Sequence, residues 1–95
     1  MNAPVTITAS HRESADNYRG EIFRVATWRV VTCRDHIQWI LQRHTRAGRP
    51  DGGRWESKYY LTTRESVLRF WRTSTGRNGA ELKVLLPERF KRGEG

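Results

Sequence analysis

Ninety-five residues with 36% hydrophobic side chains make one small domain, with little room for a nucleotide-binding sheet, a barrel enzyme or an internal cofactor cavity. Fifteen Arg and three Lys against ten acidic residues give a net charge of +8, which points to a polyanionic partner rather than to a reaction. No apolar run approaches the roughly 18 residues that a membrane helix needs, residues 1–20 lack the layout of a signal peptide, and a single cysteine, Cys33, reads as a reducing cytoplasm.

The charge is uneven. Residues 1–22 hold two Arg and three acids, whereas residues 23–95 hold sixteen basic and seven acidic side chains. Residues 1–21 mix Pro, Ser, Asn and Gly with scattered charge and read as a flexible N-terminal arm, in which Val5–Thr8 could add a short edge strand. The folded domain is expected over residues 22–90, with a frayed tail over 91–95.

From Trp28 to Cys33 the run W-R-V-V-T-C is rich in β-branched and aromatic residues. With I-Q-W-I-L-Q-R at 37–43 it reads as a hairpin about a two-residue turn at Asp35-His36. That register pairs Thr32 with Trp39, Val30 with Leu41 and Trp28 with Arg43. Period-two alternation puts Trp28, Val30, Ile37, Trp39 and Leu41 on the core face, and Arg29, Val31, Cys33, Gln38, Ile40 and Gln42 on the other.

Residues 44–54 hold three Gly, one Pro and three Arg and read as a loop. Trp55–Leu61 forms a third strand, with Trp55, Ser57, Tyr59 and Leu61 on one face and Glu56, Lys58 and Tyr60 on the other. A helix starts at Thr62 or Thr63, since Thr62 and Glu65 have capping-box spacing and Thr63 is an equal cap. Its apolar stripe is Val67, Leu68, Phe70 and Trp71. Residues 80–86 fit strand or helix, and Leu82, Leu85 and Leu86 favour a short helix that Pro87 ends. The fold class is α+β: a three-stranded antiparallel sheet against one main helix, with a short second C-terminal helix, in the order β-β-β-α-α.

The runs W-R-V-V-T-C-R-D-H-I-Q-W-I-L-Q-R, R-W-E-S-K-Y-Y-L-T-T-R-E-S-V-L-R and L-P-E-R-F, spanning roughly residues 28–90, resemble short uncharacterised proteins of proteobacteria, their phages and mobile elements. Gly often follows the turn Asp in those proteins, where this chain has His36. The resemblance implies a context rather than a mechanism: small proteins of that setting are often DNA-binding accessories or inhibitors of host defence, such as anti-CRISPR proteins.

Catalytic constellations are weak. Cys33 and His36 have C-x-x-H spacing, but a structural zinc needs a second close pair. Nothing marks an oxyanion hole for a thiol nucleophile, and the carboxylates are scattered singly. The chain is therefore expected not to be an enzyme and to need no cofactor or metal, with no membrane or small-molecule partner. The binding reading rests on Arg29, Gln38, Gln42, Lys58 and Tyr60 on the non-core sheet face, on Arg43, Arg46, Arg49 and Arg54 about the loop, and on Arg64 at the helix start. Arg suits guanine and phosphate, Gln suits adenine, and Tyr stacks or bonds phosphate. The same pattern also describes a solvated sheet face. The expected partner is nucleic acid, DNA before RNA; the alternative is a host protein or ribonucleoprotein complex that the chain binds and inhibits.

Overall fold

A computed structural model describes residues 12–45 and 53–91. The proposed edge strand at Val5–Thr8 and the tail beyond Lys91 lie outside the described residues. The chain is α+β, and its antiparallel sheet has four strands rather than three. They are β1 (Glu21–Val25), β2 (Trp28–Thr32), β3 (Trp39–Thr45) and β4 (Arg54–Leu61), ordered β1-β2-β3-β4. Helices α1 (Arg64–Thr75) and α2 (Ala80–Leu85) follow. The additional strand is β1, E-I-F-R-V, in which the adjacent apolar Ile22 and Phe23 break the period-two pattern that marks a strand.

The β2–β3 register agrees with the alternation: Thr32 faces Trp39, Val30 faces Leu41 and Trp28 faces Arg43. The turn is longer than two residues. The Cys33 N–H donates to the Gln38 carbonyl at 2.9 Å and the His36 N–H to the Cys33 carbonyl at 3.0 Å. His36 takes the positive φ of 55° that the turn requires. Ile37, expected in the core, therefore sits in the turn and is 40% exposed.

Val30, Trp39 and Leu41 face the helices, where they pack with Leu61, Val67, Leu68, Trp71, Leu82 and Leu86. Phe23 and Phe90 close the edges of this core, with ring centres 5.7 Å from Trp71 and 5.2 Å from Trp39. Thr63, not Thr62, caps α1, its hydroxyl accepting from the Ser66 N–H at 3.2 Å. Gly76 ends α1 at a φ of 76°, as a left-handed cap. Gly79 precedes α2 at a φ of 76°, and a Cβ there would lie 2.9 Å from Leu68 and 3.1 Å from Trp71. Only glycine serves both that conformation and that closeness. Leu82 and Leu86 are buried and Leu85 is half exposed, so the helix presents an i, i+4 pair rather than the three-leucine stripe.

Two expectations about faces change. First, β4 carries a bulge: Tyr59 pairs with Leu41 but Ser57 pairs with Gln42, leaving Lys58 as the extra residue. A bulge reverses the alternation beyond it. Tyr59 and Leu61 stay on the helix side, where Tyr59 stacks on Phe70 at 4.5 Å, while Trp55 and Ser57 turn to the outer face. Second, residues 12–20, expected to be part of a flexible arm, cross the outer face and cover it. Tyr18 packs with Val31, Cys33 and Ile40 in a second small core, and its hydroxyl donates to the Thr32 carbonyl at 2.6 Å. The Trp55 N–H donates to the Ser14 carbonyl at 3.0 Å, so this strap also occupies part of the free edge of β4.

Candidate nucleic-acid interface

Arg29 and Gln42, the centre of the expected reading face, are both fully buried. They are corrected from binding residues to structural ones. Arg29 Nε donates to Gln42 Oε1 at 2.7 Å. Its Nη1 donates to Glu21 Oε1 at 2.9 Å and to the Asp16 carbonyl at 3.2 Å. Its Nη2 donates to the carbonyls of Glu13 and Ala15 at 3.0 and 2.9 Å. A guanidinium has five N–H donors, and all five are used. The group also lies 4.3 Å from the Trp55 ring centre. Gln42 Nε2 completes the set by donating to the Glu13 carbonyl at 3.0 Å and to Ser57 Oγ at 3.2 Å. Burial pulls the Arg29 pKa down, and the Glu21 carboxylate opposes that pull. The guanidinium is basic enough to stay charged despite that pull.

The other expected residues divide by place. Gln38 is half-buried at the β2–β3 turn. Arg43 is exposed, with its guanidinium 5.9 Å from the Trp28 ring centre. Arg64 opens α1 and donates from Nη1 to the Leu86 and Lys83 carbonyls at 3.1 and 3.3 Å, which ties the two helices together. Arg46 and Arg49 lie outside the described residues. Arg54, Lys58 and Tyr60 are each exposed on β4, Arg54 at its start and Tyr60 near its end. Tyr60 is 59% exposed, and Lys58 pairs with Glu56 at 3.2 Å.

A groove at the start of β4 runs between it and the strap, lined by Arg12, Glu13, Ser14, Arg34, Arg54, Trp55 and Ser57. Three guanidinium groups meet one carboxylate, and Glu13 Oε2 already accepts from the Arg34 N–H at 2.6 Å. Cationic forks beside two serine hydroxyls suit a row of phosphate oxygens. Arg12 and Arg34 were missed in the sequence because one lies in the supposed arm and the other in a turn. No periodicity links either of them to Arg54.

Acidic groups at the other end of the strap are engaged inward. Asp16 Oδ1 accepts from the Trp55 indole N–H at 3.1 Å and from Arg24 at 2.9 Å. The indole bond, followed by the charges of Arg24 and Arg29, holds the Asp16 carboxyl below its ordinary range despite the opposing effect of burial. Arg24 also bonds Glu21, chiefly for which reason its own pKa is raised.

Cys33 is buried, and its sulfur accepts from the Ile37 N–H at 3.2 Å. Among the described residues no group of three or more His, Cys, Asp or Glu gathers as a metal site, and no helix is long and apolar enough to cross a membrane. Comparison with protein-family models, with curated proteins and with solved structures found no match to this chain.

Proposed function

We propose that the protein is a small basic, non-enzymatic nucleic-acid-binding protein, favouring DNA, that holds the phosphate backbone in the groove between the strap and β4. Arg34 and Arg54 grip phosphates, Ser14 and Ser57 offer hydroxyls, and Lys58 and Tyr60 extend the contact along the strand. The observation that carries this reading is the convergence of Arg12, Arg34 and Arg54 on one groove, from three segments distant in sequence. Chain-wide net charge of +8 favours the same partner. With Arg29 and Gln42 committed to internal bonds, the contact is to backbone rather than to base edges, so weak sequence preference is expected.

Anisotropy of a short labelled duplex, titrated across a salt series, tests this. Affinity is expected to fall steeply with salt through counterion release. Arg34→Ala and Arg54→Ala should each lower the salt slope by about one unit and weaken binding to all sequences alike. Duplex affinity unchanged in the double variant overturns the assignment. A duplex that does not bind the wild type, together with a protein partner retained at high salt, would instead favour the inhibitor reading. The exposed Tyr60 beside arginine is the feature that suits such an interface.

A further inference from the structure

We propose that the chain carries a second phosphate-binding surface on the helix side of the sheet, and that it thereby bridges two nucleic-acid segments. The inference rests on the reading of the first groove as a nucleic-acid site. The second groove lies between α1, α2 and the segment 87–90, and its cations are Arg64, Arg72, Lys83 and Arg89. Two carboxylates, Glu65 and Glu88, share it, leaving a cationic excess.

The fold explains why these charges meet. Arg64, Leu68 and Arg72 recur at i, i+4 and i+8, so they share one side of α1. Leu68 turns inward on that side and fixes the helix, which leaves the flanking guanidinium groups at the rim. Arg64 holds α2 through the Leu86 and Lys83 carbonyls, which brings the Lys83 residue to the same groove. The Arg64 N–H donates to the Glu88 carbonyl at 2.8 Å and Thr63 bridges to Arg89, which draws the C-terminal segment alongside. Arg72 spends its Nε on the Asn78 carbonyl at 3.1 Å, a bond that steadies the side chain while leaving its two terminal nitrogens. Neither Lys83 nor Arg89 enters an ion pair among the described residues. Uncompensated cations held at the rim of a groove are the elements of a phosphate site.

The placement of the two grooves gives the consequence. The first lies in the layer of the strap, on the outer face, and the second in the layer of the helices, with the sheet between them. With the sheet between the two grooves, a chain using both is expected to hold two segments.

The test mixes the full chain with two duplexes, one carrying a donor dye and one an acceptor, and reads energy transfer between them. Transfer is expected with the wild type. It should be lost in the Arg72→Ala, Lys83→Ala, Arg89→Ala variant, which still binds a single duplex through Arg34 and Arg54. Lys83→Glu with Arg89→Glu keeps the Arg72–Asn78 bond and should lose transfer too, which separates loss of the surface from loss of the fold. Transfer that persists in both variants overturns the proposal. Duplex binding by the wild type without transfer overturns the second surface and leaves the first standing. Absence of any duplex binding overturns both.

Discussion

The two faces of the sheet are both closed, but by different physics. Helices cover one face with apolar side chains, and Val30, Leu41, Val67 and Leu82 there have no exposed surface. A short irregular strap covers the other, packing Tyr18 on Val31, Cys33 and Ile40 and directing backbone carbonyls at one guanidinium. The first face gains stability from removing apolar area from water. The second buries a smaller apolar cluster, and depends in addition on leaving no donor of Arg29 unpaired. A buried charge is thus tolerated because a segment without regular secondary structure has carbonyls to spare.

This contrast can be broken most severely on the apolar side. Trp39→Ala should cost about 3–5 kcal/mol in urea unfolding, since it empties the centre of the helix-side core. A loss under about 1 kcal/mol would mean that the helices do not depend on that face. On the polar side, Arg29→Ala should cost about 2–4 kcal/mol by stranding the carbonyls of Glu13, Ala15 and Asp16. The two losses should differ in kind: amide exchange and proteolysis should speed up within residues 13–18 in the Arg29 variant, well before the helices respond. Equal protection of the strap in both variants would show that the faces are one cooperative unit.

The smallest effect sharpens the comparison further. Tyr18→Phe removes one hydroxyl bond to Thr32 and should cost about 1 kcal/mol near neutral pH. Burial, with the nearby Glu13 charge, raises the Tyr18 phenol from 10.0 to about 12. Its folded form therefore holds the proton to a higher pH than its unfolded form. The associated stability is complete below pH 10 and is lost as pH rises from 10 toward 12. Phenylalanine should remove that part of the alkaline decline, read from unfolding midpoints across this window. An unchanged decline would place its origin elsewhere in the molecule.

Much of the helix-side face was legible because its physics is periodic. The β2–β3 alternation specified the pairs Thr32–Trp39 and Val30–Leu41, and an i, i+3, i+4 pattern located α1 and its buried Val67, Leu68 and Trp71. The outer face, where Arg29, Gln38 and Gln42 alternate with Val31, Cys33 and Ile40, reads as exposed because its polar members suit water. Arg29 and Gln42 look the same in sequence whether they meet water, a base edge or a carbonyl. Arg54, Lys58 and Tyr60 did stay at the surface as expected, but the groove that Arg54 joins includes Arg12 and Arg34, which no spacing connects to it.

Taken by itself, the amino-acid sequence determined a small α+β domain with excess positive charge, the hairpin register and the apolar stripe of α1. Each of these is a local or periodic property, encoded in side-chain type and spacing. Tertiary structure alone decided that residues 12–20 lie on the sheet, that Lys58 bulges and reverses the faces of Trp55 and Ser57, and that Arg29 is an internal anchor. Those outcomes depend on pairing between positions far apart in the chain, such as Ser14 with Trp55 and Glu13 with Gln42, where the polar groups of a short irregular segment find partners that no periodic pattern announces.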